Sequence, residues 1–179
     1  LGQLLATSVI SLAACASVPI ASGDEPDFTP VQADLFGVAG SLSNAWGDFD
    51  GDGDLDFAVS IKGGEITLYR NVGGTFVSAG EAVGLPVSGD EIRGLSWGDY
   101  DLDGDLDLLA GSNVSPIPSR SYLYRNDGGV FTEVAADLNL TLPGRFSRQS
   151  NWIDFDTDGD LDLYGANRAG VNWLYRNDG

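Results

Sequence analysis

This 179-residue sequence predicts an all-β fold, a β-propeller of four-stranded antiparallel blades with about three blades present in an incomplete chain. Three observations carry that prediction. A nine-residue pattern with aspartate on every second position occurs three times, and a longer unit recurs around it at a spacing of about 50 residues. The composition agrees: 42% hydrophobic residues, 10% aromatics and 25 glycines describe a globular, turn-rich β chain rather than a disordered one.

In chain order, the first element is a leader. Leu1 to Ala16 is apolar, too short to span a bilayer comfortably, and ends in small residues. It has the character of a secretory signal core whose basic start lies outside the sequence, and residues 1–23 are assigned to this clipped leader. Leu12-Ala-Ala-Cys15 resembles a bacterial lipobox, which would make Cys15 a lipidated first residue. Ordinary cleavage after Ala16 fits equally. Either way the protein is expected to be secreted or held in the cell envelope, and it would touch a membrane only through a lipidated Cys15.

The remainder, residues 24–179, forms the repeat region, with blades expected at about 41–80, 91–135 and 147–179. Each unit reads as four strands. The first ends at a tryptophan (Trp46, Trp97, Trp152), and the second leaves the aspartate loop, as in Leu55-Asp-Phe57-Ala-Val59. The third ends in Leu-Tyr-Arg-Asn (Leu68–Asn71, Leu123–Asn126, Leu174–Asn177). A glycine turn such as Asn126-Asp-Gly-Gly129 then leads into the fourth, Val130–Val134. Loop starts lie 51 and 55 residues apart and the tyrosines Tyr69, Tyr124 and Tyr175 lie 55 and 51 apart, so the extra residues of the second unit fall near Asn113–Pro118, an insertion in a surface connection. Four short strands repeating at about 50 residues are the pattern of a propeller blade. Phe28-Thr-Pro-Val31 resembles the fourth strands and is expected to be donated to a last blade beyond this sequence.

The loops are Asp48-Phe-Asp50-Gly-Asp52-Gly53-Asp54-Leu-Asp56, Asp99-Tyr-Asp101-Leu-Asp103-Gly104-Asp105-Leu-Asp107 and Asp154-Phe-Asp156-Thr-Asp158-Gly159-Asp160-Leu-Asp162. Five carboxylates in nine residues repel one another, and a folded chain keeps them together most readily around a cation. Alternate oxygens on a loop turned by a glycine at the sixth position suit calcium, which takes six to eight oxygens in a flexible shell. The twelfth position carries no EF-hand glutamate; Val59, Ala110 and Gly165 stand there. The expected site is therefore a calcium loop on a β-hairpin, about one Ca2+ per repeat. The leucines Leu55, Leu106 and Leu161 are expected to anchor the loops to a core.

Charge and chemistry narrow the rest. Of 27 acidic residues 15 lie in the loops, leaving 12 against nine Lys and Arg, so the net charge of −18 belongs to the metal sites. Basic residues form no patch, and no nucleic-acid partner is expected. With no histidine, and Cys15 as the sole cysteine, histidine general-base, cysteine-nucleophile, zinc and disulfide chemistry are absent from the body of the chain. No catalytic residue is assigned. The aromatics, fixed in each repeat, point to packing between blades rather than a carbohydrate platform. Arg70, Arg125 and Arg176 are expected to pair with acids on the next strand or blade.

With Trp-Gly before the loop, and Leu-Tyr-Arg-Asn and Gly-Gly-x-Phe after it, the repeat resembles the FG-GAP or VCBS family over roughly Phe28 to Gly179. Within that family it is most similar to proteins related to cartilage acidic protein and to UnbV-type proteins. The resemblance implies a calcium-bearing propeller like that of integrin α-subunits, with loop positions one, three, five and nine binding through side chains and position seven through its carbonyl. By motif these are Asp48, Asp50, Asp52 and Asp56; Asp99, Asp101, Asp103 and Asp107; and Asp154, Asp156, Asp158 and Asp162, with Asp54, Asp105 and Asp160 binding through the backbone. No Phe-Gly…Gly-Ala-Pro occurs, which separates the chain from integrin-like ligand binding. The preferred function is a calcium-stabilised binding or adhesion scaffold with a protein or carbohydrate ligand. A secreted propeller hydrolase or lyase and a lipid-anchored envelope assembly factor are the alternatives.

Overall fold

The computed structural model describes residues 28–37, 39–79, 85, 91–112, 121–140, 147–167 and 171–179. The leader with Cys15 and the Asn113–Pro118 insertion lie outside these. Residues 34–179 make one compact unit. Of the preceding unit, residues 28–32 are irregular, and no strand forms at Phe28–Val31 in this chain. Among the described residues, one short helix, α1 (Ala33–Phe36), precedes eleven strands in three antiparallel sheets.

The first blade runs β1 (Ser41–Gly47), β2 (Asp56–Ile61), β3 (Ile66–Val72), β4 (Thr75–Ser78), with neighbours in the sheet following chain order. The second repeats that order with β5 (Ile92–Gly98), β6 (Asp107–Ser112), β7 (Ser121–Asn126) and β8 (Phe131–Glu133). In the third, β9 (Ser147–Ile153), β10 (Asp162–Asn167) and β11 (Trp173–Tyr175) form a three-stranded sheet. The aspartate loop joins the first two strands of every blade, and the register repeats. Gly47 pairs with Asp56, Gly98 with Asp107 and Ile153 with Asp162.

The core lies between blades, because each sheet is apolar on both faces where it has neighbours. Ala58, Leu68 and Phe49 of the first blade pack with Leu108, Ala110, Tyr124 and Phe131 of the second. The alternate residues of the second blade, Leu109 and Leu123, pack with Leu163 and Trp173 of the third. Strand β6 is buried along its whole length as a result. Trp97 and Trp152 face the preceding blade, as their fixed place in the repeat suggested. Trp97 donates its indole N–H to the Ala45 carbonyl at 3.1 Å and stacks on Phe49 at 5.9 Å, while Trp152 stacks on Tyr100 at 6.2 Å. Gly98 makes room for Trp152: a Cβ there would lie 2.5 Å from the ring.

Two expectations need correcting. Leu106 does anchor a loop, but to the preceding blade, where a Cβ on Gly47 would meet its Cδ1 at 2.8 Å. Leu55 is 60% exposed. The arginines pair within their own blade: Arg125 with Asp127 at 2.9 Å, Arg176 with Asp178, and Arg70 with Asp50 of its own loop at 3.7 Å. Short side-chain reach along one turn is easier to satisfy than a contact across blades, and such half-exposed pairs contribute little.

Candidate metal centre

Each aspartate loop is organised by its own carboxylates before any ion is considered. The carboxylate of position one bends back over the turn. Asp48 accepts the N–H groups of Asp52 (3.1 Å) and Gly53 (2.9 Å), Asp99 those of Asp103 and Gly104 (both 3.1 Å), and Asp154 those of Asp158 and Gly159 (both 3.2 Å). The glycine at position six has φ of +92°, +97° and +103° in the three loops, a left-handed conformation that a side chain would penalise. That turn returns the chain to position nine.

Position nine is wholly buried in all three blades. Asp56 accepts the Asn71 N–H at 2.7 Å and the Phe49 N–H at 3.2 Å; Asp107 accepts those of Asn126 (2.9 Å) and Tyr100 (3.0 Å); Asp162 accepts those of Asn177 (2.9 Å) and Phe155 (3.0 Å). It thus ties the loop to the end of the third strand. Burial pushes the Asp107 carboxyl up to about 7; the N–H groups of Asn126 and Tyr100 oppose the rise, and Asp101 and Asp103 add to it. Asp56 is raised for the same reason, with Asn71 and Phe49 opposing and Asp50 and Asp52 adding. Burial and the neighbouring Asp103 also raise Asp101. A carboxyl whose proton affinity is raised by its surroundings is one whose charged form a bound cation would favour.

Positions one, three and nine converge. Asp48, Asp50 and Asp56 each bring one carboxylate oxygen within 4.8 Å of the others, and so do Asp99, Asp101 and Asp107, and Asp154, Asp156 and Asp162. Oxygens on opposite sides of a calcium ion at 2.3–2.6 Å lie about 5 Å apart, so the spacing suits one ion per loop. In the first loop Oδ1 of Asp50, a member of the convergent group, is buried with no hydrogen-bond partner. The donor set is all hard oxygen, which fits calcium or magnesium rather than zinc.

Positions five and seven stand outside these groups. Asp52, Asp103 and Asp158 each accept the N–H of the residue two further on, at 2.9, 2.9 and 3.1 Å. The side chains of Asp54 and Asp105 clamp the hairpin turn after the third strand, accepting the N–H of Gly73 (2.8 Å) and Gly128 (2.6 Å).

One set of residues passed unnoticed in the sequence. The last residue of Leu-Tyr-Arg-Asn donates from Nδ2 to the preceding blade: Asn126 to the Phe49 carbonyl at 2.8 Å, and Asn177 to the Tyr100 carbonyl at 2.9 Å. Because Phe49 and Tyr100 sit at position two of the loop, each asparagine links its own position-nine aspartate to the aspartate loop of the blade before it. Its recurrence in all three units was the available signal.

Residues 48–110, from the first aspartate loop to Ala110 in β6, match the family model described as an FG-GAP-like repeat. No curated protein matches the chain.

Proposed function

Taking this chain as an FG-GAP repeat protein, we propose that it is an extracytoplasmic scaffold whose blades are braced by calcium, one ion in each aspartate loop. The observation that carries the reading is the threefold convergence of positions one, three and nine, with Oδ1 of Asp50 buried and without a hydrogen-bond donor. Calcium, when bound, supplies positive charge to carboxylates that repulsion would otherwise drive apart. The protein's own groups do the rest. Asp48, Asp99 and Asp154 shape the loop, Asp56, Asp107 and Asp162 fasten it to the third strand, and Asn126 and Asn177 carry that order to the neighbouring blade. Asp52, Asp103 and Asp158, and the carbonyls of Asp54, Asp105 and Asp160, complete the proposed shell after a side-chain rotation of position five.

Magnitudes favour a structural ion. At a dissociation constant of ~0.1 mM and ~1 mM free calcium, each site adds about 1.4 kcal/mol by mass action, and three add about 4 kcal/mol. That is comparable to the stability of a modest domain. FG-GAP repeats are typical of extracellular proteins, and no described helix is long and apolar enough to cross a membrane. The proposed setting is outside the cytoplasm, where millimolar calcium occurs, and the proposed ligand is a protein or carbohydrate. Thermal unfolding in calcium and in EDTA tests the reading. The midpoint is expected to fall on chelation and to return with calcium but not with sodium; an unchanged midpoint rejects structural calcium. Cys15→Ser followed by membrane fractionation tests lipid anchoring.

A further inference from the structure

The three aspartate loops share a ligand pattern but not a charge environment. In each unit the asparagine that closes Leu-Tyr-Arg-Asn gives its backbone N–H to the position-nine carboxylate: Asn71 to Asp56, Asn126 to Asp107 and Asn177 to Asp162. That shared bond aligns the units residue by residue. The place after the asparagine holds Asp127 in the second unit and Asp178 in the third, but Val72 in the first. Alternate residues along an extended chain lie on one side, so the preceding arginine meets that place directly. Arg125 donates to Asp127 from Nε at 3.2 Å and from a terminal nitrogen at 2.9 Å, and Arg176 pairs with Asp178. Each makes a neutral pair beside its own loop.

Val72 offers no charge, and Arg70 turns elsewhere. Its guanidinium lies 3.7 Å from Oδ2 of Asp50, the position-three carboxylate of the first loop and a member of the convergent group. Arg125 and Arg176 do act on the corresponding carboxyls, Asp101 and Asp156, but burial and neighbouring aspartates outweigh them and both carboxyls stay raised. Resting on the calcium reading above, we infer that the three sites are unequal: Arg70, with Val72 where its counterparts have an acid, competes for Asp50 and makes the first loop the weakest calcium site. The ion pair itself adds little to stability, because the arginine is half exposed. Its effect on calcium is larger, since a divalent ion is repelled twice over and Asp50 must exchange one cation for the other. A unit charge a few ångströms from such an ion changes its affinity by roughly tenfold at low salt. The first blade therefore responds to calcium over a range in which the other two stay filled.

Heteronuclear NMR of the isotope-labelled chain, chelator-treated and then titrated with calcium at low salt, reads the loops one by one. The amides of Gly53, Gly104 and Gly159 donate to the position-one carboxylates and report on their own loops. Gly53 is expected to reach its midpoint at roughly tenfold more calcium than Gly104 and Gly159. Arg70→Gln should lower the Gly53 midpoint by about that factor and leave the other two in place, and Val72→Asp, which supplies the missing acid at an exposed position, should lower it too. Lys62→Gln removes the same charge from the end of β2 remote from the loop and should shift Gly53 far less. Three shifting glycines with Gly53 at the same calcium as the others or at less overturn the inference and leave the calcium reading standing. So does an Arg70→Gln chain whose Gly53 midpoint stays put, or one that Lys62→Gln matches. No calcium-dependent shift at any of the three glycines overturns both.

Discussion

Gly98→Ala is the smallest change that probes how the blades are held together. The added methyl would sit 2.5 Å from Cδ1, 2.6 Å from Cγ and 2.8 Å from Nε1 of Trp152. Ordinary carbon contacts lie at about 3.5–4.0 Å, so the indole must retreat by about 1 Å. It has little freedom to do so, because its other contacts include stacking on Tyr100 at 6.2 Å within the cluster of Leu109, Leu123 and Leu163. Overpacking of this kind costs roughly 1–3 kcal/mol. Urea unfolding followed by tryptophan fluorescence would show it as a lower midpoint at unchanged slope. In a Trp152→Ala background the methyl fills space instead of colliding, and the two substitutions should couple by a similar ~1–3 kcal/mol. A Gly98→Ala chain within about 0.5 kcal/mol of the parent, or the same loss in both backgrounds, would refute the interlock.

Asn126→Ala removes the donor to the Phe49 and Leu106 carbonyls and the acceptor for the Gly129 N–H, all at a buried side chain. A loss of about 2–4 kcal/mol in urea unfolding is expected from several unmade bonds, against almost none for the exposed Arg125→Ala. Leu102 stands at loop position four with φ of +60°, where the first loop has Gly51 at +71°; being exposed, it packs little. Leu102→Gly should therefore leave stability unchanged or raise it by up to ~1 kcal/mol, whereas Gly51→Leu should lower it by a similar amount. Without calcium, stability should fall as pH rises. Asp107 titrates near 7 in the fold against an unfolded value of 3.8, so the folded state binds the extra proton between those values and loses that advantage as pH passes 7. Asp56 acts in the same direction. Midpoints in EDTA should thus be higher at pH 5 than at pH 8 and should reverse order in saturating calcium, since the metal competes with the proton; parallel trends in both buffers would contradict the assignment.

The aspartate loops and the order of strands were legible because both are local. Alternate carboxylates around a glycine and apolar runs bounded by turns act within ten residues, and repetition marks each three times. What joins blade to blade was not legible. Trp97 reaches Ala45 across 52 residues and Asn126 reaches Phe49 across 77, and nothing in either short motif names its partner. The same limit explains Leu55. Its motif matches that of Leu106, whose anchoring surface at Gly47 lies on another blade and is not written in the motif. Spacing also cannot tell which aspartates converge: positions one, three and nine bring carboxylate oxygens together while positions five and seven stand outside those groups, although the pattern writes all five alike.

Calcium calorimetry on the chelator-treated chain tests the central claim most directly. Three ions per chain should bind, falling to two when Asp107→Asn removes the position-nine carboxylate of the second loop while urea unfolding in EDTA shows the fold intact. No heat of binding, or three ions retained by Asp107→Asn, would contradict it.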